Sequence, residues 1–134
     1  MGINHMQPLR LAIALSLSLL AAPQLSFAKE NRCGWIQNPT PGNYWLDDSE
    51  GLWVLMTQGS DEEPLGMENF PDISTGDYVA SNGNYGYTCG CIQAETERNA
   101  DPQESAAGRI TAIYGVKLLP LKKCLADGSL PKPE

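Results

Sequence analysis

The sequence predicts a mainly β domain: a small, disulfide-stapled antiparallel sandwich or barrel of about five to six strands, with little helix. Three observations lead there. Short runs of aromatic and branched residues, such as Tyr44-Trp45-Leu46, Leu52–Thr57 and Arg109–Leu119, alternate with turns rich in Gly, Pro, Asn and Asp. No stretch of useful length sustains a 3.6-residue apolar period. All 4 cysteines lie beyond the N-terminal apolar segment.

That segment reads as an export signal. Arg10 supplies positive charge, Leu11 to Ala22 is a nearly continuous apolar run, Pro23 breaks it, and Ser26-Phe27-Ala28 fits the small-x-small pattern of signal peptidase. The run is short for a membrane span. Residues 1–28 are therefore expected to be a signal peptide and residues 29–134 a single small secreted β domain. Cys33 follows Glu30-Asn31-Arg32 and not the small apolar residues of a lipoprotein acylation site. The expected location is the periplasm or the extracellular space, with no stable membrane span after cleavage.

Composition narrows the partners. The formal net charge is −7, and cleavage would remove Arg10 and no acid, leaving −8. Phosphate backbones require basic patches, so no nucleic acid partner is expected. Charge favours a basic protein or a cationic ligand, although acidity alone also keeps an exported protein soluble. The 1 histidine is His5, inside the signal segment. Its loss excludes Ser-His-Asp and Cys-His nucleophile systems and histidine-ligated zinc. No cofactor is expected.

Taken in order, Lys29 to Arg32 reads as a loose polar start, and Cys33-Gly34-Trp35-Ile36 opens the first strand. Asn38-Pro39-Thr40-Pro41-Gly42-Asn43 is a turn or extended loop, two prolines removing amide donors. Tyr44-Trp45-Leu46 and Leu52–Thr57 form a hairpin around the polar turn Asp47–Gly51. Its second strand is apolar on both parities and is expected to be covered on both faces. Residues 58–76 read as a long loop tucked onto the core by Met67, Phe70 and Ile73. Asp77–Ser81 and Tyr85–Gln93 form a second hairpin, residues 95–108 a mobile loop, and Arg109–Leu119 a last strand ended by Pro120. Leu121–Ala126 forms one helical turn carrying Cys124, and the tail frays beyond Leu130.

Export makes disulfides the default state of Cys33, Cys89, Cys91 and Cys124. In a strand, Cys89 and Cys91 lie about 6.5–7 Å apart, at the edge of disulfide geometry. Each should therefore pair outward, one with Cys33 and one with Cys124; which takes which stays open. A redox or copper(I) role for Cys-Gly-Cys is the minor alternative.

Asn82-Gly83 is a strong hairpin signal because both residues accept positive φ. With those two at the turn, Tyr78, Ala80, Tyr85, Tyr87, Cys89 and Cys91 share a face that reads as the core side. Gly86, Thr88 and Gly90 make the opposite face nearly bare backbone. A Gly83-Asn84 turn would slip this register. Asn82 and Asn84 are candidate recognition residues at the tip, against the simpler reading that they only build the turn.

Several motifs together resemble one family. Arg32-Cys33-Gly34-Trp35, Asn38–Asn43, Trp45-Leu46, Asn82–Tyr87 before the paired cysteines, and Cys124 with Asp127 and Leu130 are similar to domain of unknown function family 4087, small exported bacterial proteins. The resemblance covers most of residues 29–134. It implies a bacterial, exported protein and carries no activity or site residue.

The function expected is an exported, non-catalytic binding or inhibitor-like module of unknown target, with a basic protein such as a lysozyme favoured by charge. One alternative is a cell-wall or carbohydrate-binding module using exposed aromatics. Its candidates are Trp35, Tyr44, Trp45 and Trp53, with Trp45 and Tyr44 joining Asn82 and Asn84 as the tentative binding residues. Another alternative is a structural envelope protein. The last is a hydrolase using Asp47, Asp48 and Glu50, acids that more often form a solvated hairpin end. The partner is therefore expected to be a protein or a glycan.

Overall fold

The computed structural model describes residues 2–3, 22–23 and 29–133. The signal segment read over residues 1–28 otherwise lies outside them. Six strands form one mixed sheet: β1 (Glu30–Thr40), β2 (Asn43–Asp48), β3 (Gly51–Met56), β4 (Tyr78–Asn82), β5 (Tyr85–Arg98) and β6 (Gly108–Leu119). Two single-turn 3-10 helices, Met67–Asn69 and Ile73–Thr75, interrupt the long segment after β3, and α1 (Leu121–Leu125) follows β6.

The pairing order is β1-β2-β3-β6-β5-β4, and β1 also pairs with β5. Five strands thus close a ring, β1-β2-β3-β6-β5 and back to β1, with β4 added as an edge hairpin. All contacts are antiparallel except β3 with β6, which closes the ring through only Trp53↔Gly108 and Val54↔Arg109. An isolated bridge from Leu65 to Ala112 extends the parallel side. Leaving β4 aside, this connectivity is that of a partly open OB-type barrel, with short helical turns between the third strand and the two that return. The barrel form matches the fold class read from the sequence; the parallel contact departs from the purely antiparallel pairing expected there.

Strand parity decides what fills the barrel. Ile36, Leu46, Trp53, Leu55, Ile92, Ala94 and Ile110 are each 0% exposed and form the core with Ile113 and Ile73. Met67 and Phe70 pack onto it from the 58–76 segment, so that segment is a plug and not a free loop. A second, smaller cluster lies outside the barrel: Trp35, Cys89 and Cys124, with Tyr87, Leu119, Leu121 and Leu130 against them.

The disulfides join Cys33 to Cys91 and Cys89 to Cys124. Each cysteine of the Cys-Gly-Cys pair reaches outward, as strand geometry requires.

Five expectations are corrected. Residues 30–32 are not a loose start: β1 begins at Glu30 and pairs with β5 along nine registered positions to Asn38. β1 also continues through Pro39 to Thr40, narrowing the turn to Pro41-Gly42, because the Asn38 amide donates to the carbonyls of Thr40 and Asn43 and ties the corner. The β4–β5 turn is Gly83-Asn84, with Asn82↔Tyr85, Ala80↔Gly86 and Tyr78↔Thr88 paired. Gly83 takes φ 61 and Asn84 keeps negative φ, the arrangement of a II′ turn with glycine first.

The core side of that hairpin is also reversed. Gly86, Thr88 and Gly90 are buried, whereas Tyr85 and Tyr87 are half-buried on the other side. A Cβ on Gly90 would come 2.6 Å from Ile36 Cδ1 and 2.9 Å from the Lys117 carbonyl, so the bare face is where β5 meets the barrel interior. Finally, the tail does not fray directly beyond Leu130, since the Pro131 carbonyl accepts a 2.9 Å hydrogen bond from Trp35 Nε1.

Candidate functional site

Two surfaces need an account: a charged cleft at one barrel end, and the outer face of β2 and β3.

The cleft arises because Arg32 shares the inward parity of Gly34 and Ile36. Its side chain therefore enters the barrel mouth and is only 7% exposed. The guanidinium lies over Trp53, 3.7 Å from the ring centroid. Nη1 donates to Asp48 Oδ2 at 2.8 Å and to Glu50 Oε2 at 2.6 Å, and Nη2 pairs with Glu30 Oε2 at 2.5 Å. Asp48 Oδ1 accepts from Trp53 Nε1 at 3.0 Å and from the Glu50 amide at 2.8 Å. Arg98 binds the other Glu50 oxygen at 2.8 Å. Arg32 Nε is buried without a partner.

Burial opposes the charge on Arg32, but hydrogen bonds to Asp48 and Glu50 and the nearby negative charges outweigh it, raising its pKa. Hydrogen bonds from Arg32 and then Arg98 hold the Glu50 carboxyl below its usual range. An open cleft of about 570 Å³ lies above, bordered by Glu30, Asn31, Cys33, Ser49 and Arg98. Asp48 is thus buried and not part of a solvated hairpin end. Asp48 and Glu50 share one cation, while Asp47 takes the opposite parity and accepts from Gln37 Nε2. The carboxylates considered for hydrolysis are therefore split between two faces. Among the described residues, no group of three or more His, Cys, Asp or Glu is placed to hold a metal ion.

The outer face is built by the opposite parity. Trp45 pairs with Gln37 on β1 and Val54 on β3, and Asp47 pairs with Leu52. Trp45, Leu52 and Val54 are half-buried and belong to neither buried cluster. This corrects the expectation that β3 is covered on both faces: Trp53 and Leu55 are buried inside, and the outward residues stay half-exposed. Beyond Val54 the face meets Arg109, which is paired with Glu62. A cleft of about 270 Å³ there is bordered also by Ser60, Asn99 and Glu104.

The other sequence candidates are dispersed. Trp35 is 2% exposed and Trp53 0%, so neither offers a stacking surface. Tyr44 turns toward the core and meets Phe70 edge-on at 5.7 Å. Asn82 and Asn84 are exposed at the β4–β5 tip, where the Asn82 amide donates to the Pro39 carbonyl and the Asn84 carbonyl accepts from the Tyr78 hydroxyl. The structure does not bring these asparagines together with Trp45. Sequence reasoning missed Arg32; the signal was its place two and four residues before Gly34 and Ile36 on one strand face.

Fold and surfaces together define a two-disulfide, barrel-forming β domain with a half-exposed apolar outer face. A family model described as a protein of unknown function, DUF4087, matches residues 27–131, and the chain belongs to that family. No curated protein and no solved structure matches it.

Proposed function

We propose that this chain is an exported, non-catalytic binding module, inhibitor-like in character, that takes a basic protein on the outer face of β2 and β3. The observation that carries the reading is the half-exposed apolar strip of Trp45, Leu52 and Val54, bordered by acidic Asp47, Glu62 and Glu104. An apolar centre with a charged rim suits protein recognition, and tryptophan is a frequent anchor in such contacts. Negative rim charge and the overall acidity favour a cationic partner and oppose nucleic acid.

Export is supported by the signal-like residues 1–28 and by two disulfides. No helix among the described residues is long and apolar enough to cross a membrane. The case against catalysis rests on the absence of histidine from residues 29–134.

The test is capture of basic and acidic proteins of similar size at low and high salt. Salt-sensitive retention of basic proteins, lost in Trp45→Ala, is expected. Retention that ignores both salt and Trp45 would reject the reading. A second reading, glycan stacking, is favoured by Trp45 being the one tryptophan that is not buried. Quenching of tryptophan fluorescence by cell-wall glycans would support it instead.

A further inference from the structure

We propose that the Cys33–Cys91 bridge is a thiol-exchange site, opened by a dithiol while the barrel stays folded. The two disulfides occupy opposite environments. Cys89 and Cys124 are 1% and 4% exposed beneath Trp35, Leu119 and Leu121. Cys33 is exposed and Cys91 half-buried. Their bridge joins directly opposed residues of β1 and β5. It also lies between two open clefts, Cys33 bordering one and Cys91 the other, the second about 460 Å³.

The surroundings suit exchange. Lys117 of β6 is registered directly opposite Cys91, so Cys33, Cys91 and Lys117 form one cross-strand row on the outer face. A cation beside a departing thiolate stabilises it and speeds its departure. The Asn31 amide lies 3.6 Å from Cys33 Sγ. A dithiol's thiolate attacks the exposed Cys33 sulfur, the protein S–S bond breaks, and Cys91 leaves as the thiolate. The second thiol of the reductant then attacks the mixed disulfide and releases Cys33. Two electrons and two protons pass to the protein, which gains two thiols, and the dithiol closes to its own disulfide. The β1–β5 ladder spans nine registered pairs, so strand pairing survives loss of this one link.

The test is limited reduction of the native protein with dithiothreitol, quenching by alkylation at successive times, and peptide mass spectrometry. Cys33 and Cys91 should be labelled at least about tenfold faster than Cys89 and Cys124, because access governs attack. Near-ultraviolet circular dichroism should hold through the first phase. Simultaneous labelling of all four cysteines, or earlier labelling of Cys124, would overturn the proposal. Lys117→Ala should slow the first phase about threefold with no change in the second, the effect of a poorer leaving thiol. An unchanged first phase would remove Lys117 from the site.

Discussion

Trp35 on β1 and Trp45 on β2 both stand on the outside of the barrel, on neighbouring strands, with Trp35 opposite Asp47 and Trp45 opposite Gln37. Their fates differ. Over Trp35 the chain lays its own C-terminal segment, with Leu121 and Leu130 in contact, the Cys89–Cys124 bridge anchoring it, and the Pro131 carbonyl taking the indole N–H. Among the described residues Trp45 has neither a cluster nor an indole hydrogen bond of this kind, and it stays half-buried beside Val54. An OB-type barrel has outward apolar positions on several strands, and this chain buries those of one side with its own tail. The difference separates a structural face from one suited to a partner.

The contrast between the two tryptophans depends most on the bridge that holds the cover. Replacing Cys89 and Cys124 together by serine should cost about 4 kcal/mol by loop entropy. Denaturant unfolding should then show a further loss from the exposed Trp35, making this variant less stable than Cys33→Ser/Cys91→Ser. A smaller loss than in Cys33→Ser/Cys91→Ser, whose longer loop costs slightly more by entropy, would mean that the tail contributes no packing of its own. Next in size, Trp35→Ala should destabilise by about 3 kcal/mol or more, the usual cost of emptying a buried aromatic site.

The Glu50 carboxyl tests a region shared by neither face. Its folded pKa lies below the usual value, so the unfolded chain binds the proton first as pH falls. The stability it supplies is present above about pH 4.3 and is lost as pH drops through the lower folded value. Glu50→Gln should remove that part of the acid sensitivity, read as thermal midpoints at pH 7 and pH 3, with both tryptophan faces unaffected. The smallest stability change belongs to Trp45→Ala, within about 1 kcal/mol.

What the sequence made legible was governed by local geometry. Cys89 and Cys91 lie at the edge of disulfide geometry in a strand, so spacing favours their outward pairing, and Met67, Phe70 and Ile73 mark the plug by their apolarity. What escaped depended on long-range closure. Glu30-Asn31-Arg32 looks like solvent-exposed chain until the ring places Trp53 and Asp48 around Arg32. Asn82-Gly83 and Gly83-Asn84 are both competent turns, and the choice between them moves Tyr78 and Ala80 from the tyrosine face of β5 to the face of Gly86 and Thr88. The glycines looked empty because their space is filled by Ile36 and Val79 from neighbouring strands. Of the tentative binding residues, Trp45 alone combines an outward position with apolar neighbours.

The most direct test of the functional account is a paired measurement on Trp45→Ala and Trp35→Ala, scoring unfolding midpoint and retention of a basic protein for each. The account predicts that Trp45→Ala keeps its midpoint and loses at least about tenfold in retention, whereas Trp35→Ala loses stability first. If Trp45→Ala unfolds as readily as Trp35→Ala, or binds as the parent does, the outer face of β2 and β3 is not the binding surface.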